Sequence, residues 1–187
     1  MVRKIPPELE NPIDNIFYNI ADKTDTPYRK LNMTANHITT LSLIFGLLSA
    51  QQLYVGNNGL ATLFFIIAFY YDSMDGNYAR KYKMTSRFGE MYDHISDMFK
   101  YALLFFVMYK LNPEKAIKII PIIAFFIVLM MVHLGCQEKI YDKDKNKDQN
   151  ILPVTQIMCP NPKYIYITRY FGVGTVIAIT SFFIYTY

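Results

Sequence analysis

The stretch that decides the fold is residues 72–97, DSMDGNYARKYKMTSRFGEMYDHISD. It sets Asp72, Asp75, Gly76, Ala79 and Arg80 ahead of Gly89, Asp93 and Asp97, in the pattern D-x2-D-G-x2-A-R-x8-G-x3-D-x3-D. Asp72 and Asp75 stand i, i+3 and Asp93 and Asp97 stand i, i+4, so each pair shares one helix face. At about 100° per residue, Gly76 and Ala79 fall on the first stripe with Arg80 at its edge, and Gly89 opens the second. Apolar runs at 60–71 and 101–109 flank the two groups. If the two helices pack as a hairpin, the stripes face each other and make a carboxylate cage.

Such a cage requires a cation. One carboxylate at the centre of a membrane helix costs about 2.5–3.5 kcal/mol even on the lenient insertion scale, and several together repel one another. Hard oxygen ligands with no neighbouring cysteine point to Mg²⁺, Mn²⁺ or Ca²⁺. The glycines and Ala79 clear space for a close backbone approach, and Arg80 offers a planar, permanent charge suited to phosphate. Carboxylates, a metal, small residues and an arginine together indicate phosphoryl chemistry on a nucleotide or phosphate ester.

The stretch resembles the signature of the CDP-alcohol phosphatidyltransferase family, with every fixed position present at the family spacing. The resemblance covers only the middle of the chain. It implies an integral-membrane phosphotransferase of phospholipid biosynthesis that moves a substituted phosphate from a CDP-linked donor to an alcohol acceptor and releases CMP. The donor would be CDP-diacylglycerol or a CDP-amino alcohol. Asp72, Asp75 and Asp93 would bind a pair of divalent ions, Mg²⁺ or Mn²⁺. Asp97 would complete that metal site or act as general base. Gly76, Ala79, Arg80 and Gly89 would surround the CDP group, and a homodimer is expected, built through the third and fourth membrane helices. Two acceptor-side likenesses diverge. Glu90 and His94 resemble the GE-x-x-DH form of choline and ethanolamine phosphotransferases, in which that glutamate is implicated in acceptor activation. Thr85, Phe88 and Gly89 resemble the T-x-F-G opening of phosphatidylinositol synthases, with one residue more between the threonine and the phenylalanine, and there Arg87 would meet an anionic acceptor. Asn36, in NHITT, resembles a PN-x-x-T segment of the family with Ala35 in place of proline; it either lines the nucleotide pocket or caps a helix. A competing class is a membrane protein that binds or conducts a cation through the same aspartates.

The rest of the chain is read outward from that stretch. It has 187 residues, 52% hydrophobic, and carries no Asp, Glu, Lys or Arg between Lys30 and Asp72. That gap is too long for an ordinary soluble domain, so the expected fold is all-α: a polytopic bundle of five to six transmembrane helices. Five spans are expected, near 38–56, 60–80, 89–109, 116–136 and 164–187, with a sixth only if 151–160 dips into the membrane. Residues 1–35 are expected to form a cytosolic leader and 36–187 the transmembrane domain. Within the leader, Asn11-Pro12 reads as a cap and helix start. Ile13, Ile16, Phe17 and Ile20 give an apolar face opposite Asp14, Asn15, Asn19 and Asp22, as in an amphipathic interfacial helix. The first apolar run starts too late for a cleavable signal peptide.

Basic residues set the expected topology. Arg3, Lys4, Lys23, Arg29 and Lys30, then Arg80, Lys81, Lys83 and Arg87, then Lys139, Lys143, Lys145 and Lys147, all fall on one side. That side is expected to be cytosolic and to carry the site, in the endoplasmic reticulum if the source is eukaryotic and in the inner membrane if bacterial. Lys110, Lys115 and Lys118 lie opposite. The charge of +4 is spread along these edges, and no nucleic-acid groove is indicated. Cys136 and Cys159 are expected as free thiols on the reducing side, with no disulfide and no zinc site. His133 either faces the site or is a satisfied bundle histidine. Gln137 and Glu138 are weak candidates for acceptor contact, and Tyr78, Tyr82 and Tyr92 read as interfacial aromatics.

Overall fold

The computed structural model of the chain describes residues 5–144 and 153–187. Arg3, Lys4, Lys145, Lys147 and most of the charged loop expected at 141–150 lie outside the described residues or have side chains that are not described. Among the described residues all regular structure is helical. The order is α1 (Pro12–Thr24), α2 (Thr26–Lys30), α3 (Ala35–Tyr54), α4 (Asn58–Lys81), α5 (Arg87–Leu111), α6 (Pro113–Asp144), α7 (Pro153–Met158), α8 (Ile165–Thr168) and α9 (Val173–Tyr185), with 3₁₀ turns at Pro162–Tyr164 and Arg169–Phe171.

Local chemistry sets most of these ends. Asn11 caps α1, its side-chain oxygen accepting from the Ile13 and Asp14 amides, with Pro12 at the first helical position. Thr34 caps α3 in a reciprocal pair: its hydroxyl accepts from the His37 amide and its own amide donates to His37 Nδ1. Asn36 therefore does not cap this helix. Ser86 caps α5 by accepting from the Gly89 amide at 3.0 Å. α5 ends at Leu111, and Asn112 accepts from the Lys115 amide as α6 begins at Pro113.

α3 is the central post. α4 packs along it most extensively and α5 packs on it as well. α4 and α5 thus flank α3 instead of zipping together as the tight hairpin the sequence suggests, and their polar faces look at each other across a gap. Beyond that gap along the helices, Leu53, Phe65, Leu104, Met108, Ile123 and Ile184 join one apolar cluster that draws α3, α4, α5, α6 and α9 together.

Two helical stretches among the described residues are long and apolar enough to cross a membrane: Pro113–Ile140, with mean hydropathy 2.6, and Pro162–Tyr185, with mean hydropathy 1.5. α3, α4 and α5 have 20, 24 and 25 residues, which at about 1.5 Å per residue is a bilayer's thickness, but α4 and α5 carry the charged residues of the gap.

Three expectations are corrected. The last helix is not continuous, because Gly172 takes an extended conformation (φ −69°, ψ −175°) between the 3₁₀ turn and α9. The cause is the docking of α1. A Cβ on Gly172 would lie 2.6 Å from Asn11 Cβ, and one on Gly174 would lie 2.6 Å from Ile13 Cβ, so glycine at both points lets the backbones touch. Asn11 Nδ2 spans the break, donating to the Arg169 carbonyl and the Thr175 hydroxyl.

One residue of α1 also departs from expectation: Asp14, expected on the polar face, is buried together with Ala21, while Ile16 and Ile20 of the apolar face stay exposed.

Third, Cys136 and Cys159 are not free thiols but a disulfide, with Cα atoms 5.2 Å apart. Between the two cysteines lies α7, which folds back on α6 and returns Cys159 to it. Lys139 then donates to the Cys159 carbonyl.

Candidate active site

The gap between α4 and α5 gathers the signature aspartates. Asp72, Asp93 and Asp97 each bring a carboxylate oxygen within 4.8 Å of the others. Asp93 Oδ1 is buried with no hydrogen-bond partner. An orphaned carboxylate oxygen in such a cluster has the chemistry of a cation ligand. The three groups fit a hard divalent ion, which these side chains would hold from two helices.

Asp75 is placed differently from the other three. It is nearly fully buried, and its Oδ2 accepts a 2.6 Å hydrogen bond from the Thr39 hydroxyl on α3. Its side chain also meets that of Asp93. Asp75 thus backs the cluster, with one oxygen already committed to α3. Thr39 reads from sequence only as a residue at the mouth of the first apolar run; its position one turn inside α3 aims it at α4.

The remaining signature positions lie on the same two helices, α4 and α5. The Arg80 guanidinium lies over Gly76, where a Cβ would sit 3.3 Å from Arg80 Nη1, and Nη2 donates to Asn77 Oδ1 at 2.9 Å. Ala79 packs against the apolar cluster that holds Ile38, Met74 and Tyr78, alongside Tyr82. Gly89 touches Asn36: a Cβ there would be 3.0 Å from Asn36 Oδ1. Asn36 and Gly89, far apart in sequence, are therefore neighbours where α3 meets α5. Glu90 is half-buried on the first turn of α5, outside the carboxylate cluster. Arg87 is exposed at the start of the same helix.

Some candidates resolve as structure. His133 is fully buried and bonds Gln137 Nε2 at 2.9 Å and the Thr168 hydroxyl at 3.3 Å. Gln137 donates in turn to Glu10 at 2.7 Å. These groups tie α6 to the segment leading into α1, away from the aspartates. Tyr78 is not an interfacial aromatic: it is buried, and its hydroxyl donates to the Met33 carbonyl at 2.9 Å. Tyr92 pairs with the Thr40 hydroxyl at 3.0 Å.

Sequence reasoning missed Lys100. Its ammonium lies inside the cluster, 2.6 Å from Asp97 Oδ1 and 3.0 Å from Asp72 Oδ1, and it donates to the Ser42 hydroxyl at 2.6 Å. The signal was present in the sequence: a lone lysine, i+3 from Asp97, at the head of an apolar helical run. Such a charge within a membrane helix is a functional candidate by default.

A family model for CDP-alcohol phosphatidyltransferases matches residues 32–149, well over half of the chain and all of the cluster. The chain belongs to the CDP-alcohol phosphatidyltransferase family, a transferase class of phosphotransfer in phospholipid synthesis whose members use divalent metals. Family and the two apolar helices together mark it as a membrane protein. No curated protein and no solved structure matches the chain.

Proposed function

We propose that this protein transfers a substituted phosphate group from a CDP-linked donor to an alcohol acceptor, releasing CMP, at the gap between α4 and α5. The observation that carries this reading is the convergence of Asp72, Asp93 and Asp97 around a buried, partnerless carboxylate oxygen. Mg²⁺ or Mn²⁺ held there would stabilise the charge on the donor pyrophosphate as CMP departs. Asp72 and Asp97 hold their geometry through Lys100, and Asp75 through Thr39. Arg80, laid over Gly76, is in position to bind a phosphate oxygen of the donor. Asn36 and Gly89 form the wall on the other side, with no bulk to exclude a nucleotide.

Asp97 is the better general base. Its side chain is 34% exposed against 22% for Asp72, so an acceptor hydroxyl can reach it. Glu90 and Arg87, at the rim of the same helix, then select the acceptor. A tethered ammonium within the cluster disfavours the alternative of a cation pathway, because Lys100 would stand in the way of a passing ion.

We read α3, α4, α5, α6 and the 162–185 segment as five membrane spans, with α1 at the interface and the site on the cytosolic side with the basic residues. Residues 36–187 then make the transmembrane domain, after a leader of 1–35. The outward row Ile95, Met98, Phe99 and Phe106 on α5 suits a homodimer contact in the bilayer, which cross-linking in native membranes tests.

The reaction itself is tested by giving the purified chain labelled CDP-diacylglycerol or CDP-choline with a panel of acceptors. The expected result is one labelled lipid product that needs both an acceptor and a divalent ion. Donor breakdown to CMP at a rate that no acceptor alters would contradict transfer.

A further inference from the structure

Lys100 is built into the cage as carefully as any aspartate. Three helices contribute to its seat. α5 supplies the residue itself and Asp97, α4 supplies Asp72, and α3 supplies Ser42 and Gly46. All three ammonium protons have acceptors: Ser42 Oγ, Asp72 Oδ1 and Asp97 Oδ1. Its side chain is 9% exposed. Gly46 lies one turn beyond Ser42 on α3, and a Cβ there would stand 2.6 Å from both Lys100 Cγ and Cδ. The glycine is therefore the groove in which the lysine stem lies. Any larger residue at 46 would push the stem away from the cage.

The ammonium occupies the place between Asp72 and Asp97 where a bridging cation would sit. A second ion bound there would have to break two ion pairs and the Ser42 hydrogen bond, while leaving a buried amine in a groove shaped to its stem. The partnerless Asp93 Oδ1, by contrast, remains open to an ion. We propose that Lys100 is a tethered replacement for one of two divalent ions, so that this chain binds a single ion, centred on Asp93, where the family resemblance implies a pair. The inference rests on the transferase reading above, since it assigns one of that site's two cation positions to the protein itself.

Manganese binding by the purified full chain, with Mn²⁺ alone as the probe, tests this apart from any turnover. The wild type is expected to bind one Mn²⁺ per chain, with the six-line EPR spectrum of an isolated ion. Lys100→Met keeps the stem in the Gly46 groove and removes only the charge. It is expected to bind two Mn²⁺ and show the broadened spectrum of ions about 4 Å apart. Lys100→Arg, which keeps the charge, should stay at one. Gly46→Ala displaces the stem without touching a ligand and should shift the count towards two, which serves if Lys100→Met does not fold. Two ions in the wild type, or one in both Lys100→Met and Gly46→Ala, would overturn the assignment while leaving the metal-dependent transferase intact. No ion in the wild type would overturn both.

Discussion

Thr39→Val isolates the support of the cage from the cage itself. Thr39 is not one of the clustered carboxylates, and valine matches its shape. The substitution removes the hydroxyl that donates to Asp75 Oδ2 at 2.6 Å. Asp75 is 5% exposed, so water does not replace the lost partner. A hydrogen bond to a charged group is worth about 1.5–3 kcal/mol, and an acceptor stranded in a buried place loses most of that. If Asp75 must be held in its present orientation for the reaction, that energy appears in the barrier. At about 1.4 kcal/mol per tenfold, turnover should fall roughly 10- to 150-fold. Thr39→Ser keeps the donor and should retain most activity, which separates the hydroxyl from the methyl group. The assay is CMP release at saturating donor and acceptor in detergent, with folding checked by thermal melting. A Thr39→Val enzyme within threefold of the wild type would refute the view that α3 positions the aspartates through this bond.

Three further outcomes are expected. Cys159→Ser opens a disulfide whose partners are 23 positions apart, and should lower unfolding stability by roughly 3 kcal/mol on the loop-entropy scale, read from denaturant melts with and without reductant; unchanged stability would mean that α7 is held by other contacts. Burial, reinforced by the nearby Glu10 charge, raises the Asp14 carboxyl to about 8, against 3.8 unfolded. The folded state then holds a proton that the unfolded state has lost, so stability should decline as pH rises from about 4 to about 8, and Asp14→Asn should flatten that slope in melting temperature against pH. Glu90→Gln should reduce turnover strongly with an amino-alcohol acceptor and Arg87→Ala with an anionic one, so kinetics of both variants against an acceptor panel identifies the acceptor class; two near-wild-type enzymes would remove both residues from acceptor recognition.

The parts of the molecule legible from sequence are those dictated by local spacing. The i, i+3 and i, i+4 aspartates predict their helices and shared faces, and Asn11-Pro12 and Asn112-Pro113 mark helix boundaries found within a residue or two. What escaped the sequence depends on contacts between distant segments. Lys100 reads as the border of an apolar run until Ser42 and Gly46 are seen to receive it from α3. Gly172 breaks the last helix only because α1 lies against it, and the same contact buries Asp14 on what periodicity marks as the polar face. The disulfide was missed because basic residues around both cysteines argue for a reducing compartment, and nothing in their spacing announces that α7 folds back.

The central claim is that the α4–α5 carboxylates drive metal-dependent release of CMP. The most direct measurement is CMP formation from a CDP-linked donor together with its alcohol acceptor by the wild type and by Asp93→Asn, with Mn²⁺ and then with excess chelator. The expected result is CMP from the wild type only with the metal, and none from Asp93→Asn even though that variant folds. CMP formation by Asp93→Asn at a third or more of the wild-type rate, or wild-type release that survives the chelator, would contradict it.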